Sequence, residues 1–115
     1  MKKLIMLMGM TISLFSQTTS HSATLSWVDG VNPSGTTYNV YRAGGTCVGT
    51  PTFTKITTTP LTVLTYVDTN VTSNTNYCYT VKATLNGIES SNSNLISAAI
   101  PLDVYAPTKL TATVK

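Results

Sequence analysis

From Ser22 to Pro101 apolar and polar residues alternate with a period of two, and no segment after residue 20 holds a helical period. Six short runs read as strands: SATLSWV (22–28), TTYNVYRA (36–43), TFTKIT (52–57), TYVD (65–68), NYCYTVKAT (76–84) and SNLISAAI (93–100). Turn chemistry separates them. Asp29-Gly30 and Asn32-Pro33-Ser34-Gly35 close the first run, Gly44-Gly45 the second, and Thr58-Thr59-Pro60 the third. A polar stretch, Asn70 to Asn76, leads into the fifth, and Asn86-Gly87 marks a tight hairpin turn before the last. Short strands at this spacing predict an all-β antiparallel sandwich.

The alternation also assigns faces. Ala23, Leu25 and Trp27 share one face of the first run; Tyr38 and Val40 share one face of the second, with Tyr41 opposite. In the fifth, Tyr77, Tyr79, Val81 and Ala83 oppose Cys78, Thr80, Lys82 and Thr84. Burying Lys82 is costly, so the tyrosine face is expected inward. In the last run Ile96, Ala98 and Ile100 are expected inward.

The N-terminus breaks the pattern. Lys2 and Lys3 precede an apolar stretch from Leu4 to about Phe15, the layout of an export signal, and residues 1–20 are read as one. The stretch is short for a membrane span, which needs about 20 apolar residues, and no Cys follows it to carry a lipid. The competing reading makes TISLFS (11–16) a strand, since Ile12 and Leu14 alternate with polar neighbours. Export places the protein in the periplasm, at the cell surface or outside the cell. Charged residues make up 10% of the chain, and Thr, Ser and Asn supply the polarity instead, which suits an exported β protein. The formal charge of +3 owes two units to Lys2 and Lys3, leaving Arg42, Lys55, Lys82, Lys109 and Lys115 scattered against four acids. That spread argues against a nucleic-acid partner, which needs a concentrated basic face.

Little in the chain carries chemistry. The one histidine, His21, lies at the end of the export segment. No G-x-S-x-G elbow or base partner accompanies the serines. Asp29, Asp68, Glu89 and Asp103 fall in turns or at strand ends, where acids cap backbone amides. No catalytic set, cofactor site or metal set is predicted; two cysteines and one distant histidine do not make a zinc site. Cys47 and Cys78 in an exported chain favour a disulfide, the alternative being two buried thiols. Asn70-Val71-Thr72 is a glycosylation sequon, of consequence only in a eukaryote.

Taken in order, L-S-W (25–27), Y-N-V-Y-R (38–42), T-Y-V-D (65–68), N-Y-C-Y-T-V-K-A (76–83) and N-G-I-E-S-S-N-S-N (86–94) resemble a fibronectin type III domain. They are most similar to the bacterial variety of secreted and surface proteins. The resemblance covers residues 21–101 and implies an immunoglobulin-like sandwich with Leu25, Trp27, Tyr38, Val40, Tyr77, Tyr79 and Val81 in its core. It implies that Trp27 is the core tryptophan of strand B, and that the hydroxyl of Tyr77 closes the corner between strands E and F. It also gives the cysteines a geometry. Cys47 falls in the C–C′ loop, beside the start of strand F where Cys78 lies, so a bridge closes a ring of about thirty residues and adds roughly 3 kcal/mol. The departure is strand A, which is missing unless residues 1–20 or a neighbouring chain supply it.

Residues 102–115 read as a linker followed by APTKLTATVK, similar to the opening strand of another such unit, with Leu110, Ala112 and Val114 on one face. Three readings compete: the chain is a fragment of a tandem surface or virion protein; the segment is donated to a second copy, completing that copy's sheet; or it folds back as strand A of its own domain. The expected role is a non-enzymatic exported module for adhesion, spacing or assembly, with a protein partner or a second copy. The alternative is a carbohydrate-binding accessory of secreted glycoside hydrolases, with a polysaccharide meeting Tyr41 and Phe53 on the outer face.

Overall fold

The computed structural model describes residues 20–115. The expected export segment, apart from Ser20, lies outside the described residues, and so does the alternative strand TISLFS. His21–Leu102 forms one unit by itself, and Asp103–Lys115 lies outside it.

Seven strands form within that unit: β1 (Ala23–Ser26), β2 (Thr37–Gly44), β3 (Thr54–Lys55), β4 (Thr65–Asp68), β5 (Thr75–Leu85), β6 (Ile88–Glu89) and β7 (Ile96–Ile100). All pairings are antiparallel. β1 and β4 make a two-stranded sheet; β3, β2, β5 and β6 follow one another in a second sheet, where β7 also pairs with β5. The six expected runs each contain one strand, and the seventh, β6, forms outside them, just after the Asn86-Gly87 turn. Asn86 and Gly87 both take positive φ, 52° and 78°, the combination of the two-residue hairpin that joins Leu85 to Ile88. The ladder on β5 then breaks between Glu89 and Ile96. Serine hydroxyls bridge the gap: Ala83 N–H donates to Ser90 Oγ and Val81 N–H to Ser93 Oγ, both at 2.9 Å. The Ser90 and Ser93 N–H groups donate in turn to the Ala83 and Val81 carbonyls, so the two hydroxyls take the place of strand carbonyls as acceptors.

The two sheets bury Ala23, Val40, Tyr77, Tyr79 and Ile100, with Leu25, Trp27, Val81 and Ala98 packed against them. Trp27 meets Tyr38 at 5.7 Å between ring centroids. Ile96 departs from expectation. It shares the inward parity of Ala98 and Ile100 yet stays 55% exposed, because no described strand closes the space between it and β1. Cys78 and Thr80 depart in the other direction. They sit on the outer face of β5 but are fully buried, under the glycine-rich loop after β2 and the Ser93 segment.

One buried acid ties the sheets together. Asp68, at the end of β4, is 3% exposed. Its carboxylate accepts from Arg42 Nη1 on β2 at 2.9 Å, from the Tyr79 hydroxyl on β5 at 2.7 Å and from Asn70 N–H at 3.1 Å. Arg42 also donates to the Asn70 carbonyl at 2.7 Å and stacks over the Tyr77 ring at 4.9 Å. The turn-capping role expected of Asp68 is present, but it is only one of three contacts. Burial pushes the Tyr79 phenol well above its usual range, and the bond to Asp68 adds to that. Replacing one partner leaves the other charge poorly compensated. Asp68→Asn is therefore expected to lower unfolding stability by about 2–3 kcal/mol, since Arg42 keeps some contact with water. Urea unfolding measures this; a loss below about 0.5 kcal/mol, the range of neutral surface changes, contradicts the role.

Candidate functional site

The least satisfied part of the domain is the edge of β1. Trp27 N–H donates to the Leu64 carbonyl at 3.0 Å, and the register pairs Leu25 with Tyr66 and Ala23 with Asp68. In an antiparallel ladder the bonded residues alternate. The odd residues of β1 therefore direct their backbone groups toward β4, and Thr24 and Ser26 direct theirs to the opposite edge. No described strand pairs there. Behind that edge lies a groove of about 110 Å³, lined by the apolar Leu25, Trp27, Tyr79, Val81 and Ile96 from both sheets and, at its margin, by polar groups that include Ser93 and Asn94. Its apolar walls are the inward faces of β1, β5 and β7, opened to the side. Trp27 Nε1 is a buried donor with no acceptor among the described residues, at a cost of about 1–3 kcal/mol.

A wider cleft of about 570 Å³ lies at the pole beyond β1, between the Val28–Asn32 turn and the Ser90–Asn94 segment. Asp29 organises that turn. It accepts from the Tyr38 hydroxyl and the Asn32 side-chain amide, both at 2.6 Å, and from the backbone N–H groups of Val31 and Asn32. The Tyr38 bond, then the Asn32 bonds, hold the Asp29 carboxyl far below its ordinary value of 3.8. Asp29 caps the backbone of this turn, as expected of an acid at its position.

The other sequence-derived residues fall in separate places. Cys47 and Cys78 are joined as a disulfide, with 5.1 Å between Cα atoms, and Gly45, at φ 91°, lets the loop double back to reach Cys78. The Tyr77 hydroxyl accepts from Thr72 N–H at 3.1 Å, closing the turn before β5. Tyr41 lies on the outer face and is half-buried, as is Phe53. The Tyr41 hydroxyl donates to Glu89 at 2.6 Å, while Lys82 Nζ sits 4.9 Å from its ring centroid and 3.6 Å from Glu89. The shared hydrogen bond lowers the Glu89 carboxyl and raises the Tyr41 phenol. Leu110, Ala112 and Val114 lie in a segment without regular secondary structure, and Leu110 and Val114 are almost fully exposed. Lys109, just before Leu110, takes a positive φ of 60°. The Asp68 clasp and the bridging serines were not singled out by pattern, although the inward parity of Arg42 with Val40 was a signal for the first.

This is an immunoglobulin-like antiparallel sandwich whose first edge is left open within the described residues. No family model and no curated protein matches the sequence. Among solved structures, the crystal structure of an Fn3-like protein from Clostridium thermocellum matches at 36% identity, over 71% of this chain and 79% of that one, with a TM-score of 0.58. The chain belongs to this Fn3-like family and is a bacterial-type fibronectin type III-like domain. An Fn3-like fold is typically that of a non-catalytic module. Among the described residues no group of His, Cys, Asp or Glu is set to hold a metal ion, and no helix is long and apolar enough to cross a membrane.

The Asp29 network makes a pH prediction. A carboxyl held below its unfolded value adds stability above that value and loses it as pH falls through the folded one. The thermal midpoint should therefore drop as pH is lowered from about 5 to about 2, and Asp29→Ala should flatten part of that drop. Identical slopes in both proteins contradict the assignment.

Proposed function

We propose that the protein is an exported, non-catalytic module that joins other protein chain by strand addition, on a cell surface or within a secreted multidomain protein. The open edge of β1 carries this reading. Among the described residues Thr24 and Ser26 offer an unpaired row of backbone donors and acceptors, and the groove behind them offers apolar contact for alternate side chains. Main-chain bonds with alternating pockets are the physical basis of β-strand addition. An edge of this kind is a hazard unless something covers it. The disulfide supports the export part of the reading, because such bonds persist in oxidising compartments. The polysaccharide alternative draws less support. One face of the Tyr41 ring already carries Lys82, and its hydroxyl is taken by Glu89.

Hydrogen exchange on the full chain tests the reading. With a strand on β1, the amides of Thr24 and Ser26 exchange at least 100-fold more slowly than at high dilution, where the partner has left, while the β2–β5 amides do not change. Fast exchange of both amides at every concentration, with and without candidate partner protein, contradicts strand addition.

A further inference from the structure

We infer that the strand on β1 is the Ala106–Lys115 segment of a second copy of this chain. This rests on the strand-addition reading and names its partner. Three features of the segment match the edge. Its apolar residues Leu110, Ala112 and Val114 alternate with Thr111, Thr113 and Lys115, and the inward residues of β1 alternate with Thr24 and Ser26 in the same period.

Register follows from that match. On the open side of β1 the hydrogen-bonding positions are Thr24 and Ser26, so Thr111 and Thr113 lie opposite them and exchange backbone bonds. Leu110, Ala112 and Val114 then fall opposite the inward residues Ala23, Leu25 and Trp27, at the close-approach positions of the ladder. Their side chains enter the groove beside Tyr79, Val81 and Ile96. A slip of one residue would turn the threonines into the groove and the apolar residues into water, so the register is specified.

Length also fits. Five residues, 110–114, span about 17 Å as a strand, enough to run the length of β1 and its flanks. Leu110 and Val114 are 96% and 91% exposed, and Ile96 is 55% exposed; one pairing covers apolar surface on both sides. A segment given to the next copy while the edge receives one from the previous copy is a head-to-tail contact, which builds a chain of copies unless rotation closes it into a ring.

Sedimentation and mixing experiments test this on the full chain. The intact protein is expected to form oligomers of at least twice the single-chain mass as concentration rises, and a chain lacking residues 106–115 is expected to stay monomeric. Thr24→Pro removes an N–H that faces the open side and leaves the β4 ladder intact, so that chain can donate but not receive. Mixed with the shortened chain, which receives but cannot donate, it should form a one-to-one heterodimer, although neither associates alone. Should Thr24→Pro fail to fold, the double variant Leu110→Asp, Val114→Asp, which leaves the sandwich untouched, is expected to abolish self-association of the full chain. A full chain that remains monomeric, or oligomers that survive loss of 106–115, overturns the assignment. If Thr24 and Ser26 are protected in a monomer, strand addition stands but the second copy is excluded, and the strand comes from elsewhere.

Discussion

The buried carboxylate of Asp68 is the contact on which the two-layer arrangement depends. β1 and β4 alone make a two-stranded sheet, and an isolated pair of strands is marginal in water. Apolar packing presses that pair onto the larger sheet but does not fix where it sits, because hydrophobic contact has no direction. Asp68 supplies direction. It reaches from the end of β4 to Arg42 on β2 and Tyr79 on β5, the two central strands of the facing sheet. The same end of the sandwich is held by Tyr77, whose hydroxyl binds Thr72 and whose ring lies under Arg42. Asp68 thus positions the end of the small sheet where β4 finishes.

At the far end of β1 the Asp29–Tyr38 bond adds a second fastening to β2, but among the described residues no strand covers the open edge of β1 itself. The larger sheet is pinned by the Cys47–Cys78 bridge and by serines that complete the β5 ladder. Among the described residues the smaller sheet ends at β1, with Thr24 and Ser26 unpaired toward the open side and a groove between β1 and β7. The half-exposed state of Ile96 and Trp27 Nε1, which has no acceptor among the described residues, both belong to this side. The domain is thus fastened where the clasp and the bridge act, and open along one edge among the described residues, which is the place where function is proposed.

Much of the fold could be read along the chain because period-two alternation is a direct imprint of a half-buried strand. Ala23, Tyr38, Val40, Tyr77 and Tyr79 are buried as their parity requires. The disulfide followed from family geometry once the strands had been ordered. What escaped were features that depend on partners distant in sequence. Asp68 and Arg42 are 26 residues apart, and nothing local marks them as a pair. Burial of Cys78 and Thr80 on a nominally outer face depends on loops folding over them, which alternation cannot express. Ile96 shows the converse: its parity was right, and its exposure comes from the absence of a neighbour among the described strands. The sequence shows no strand A between residue 20 and β1, whereas the groove beside β1 and the direction of the Thr24 and Ser26 backbone groups required coordinates.

The account holds that the sandwich is closed by another chain's strand laid against β1. Mixed-label NMR reads that contact directly, using a sample in which half the chains carry nitrogen-15 and deuterium and half carry neither. The account predicts intermolecular NOEs from the amides of Thr24 and Ser26 to protons of residues 110–114. NOEs from those amides that arise only within the labelled chain would contradict it.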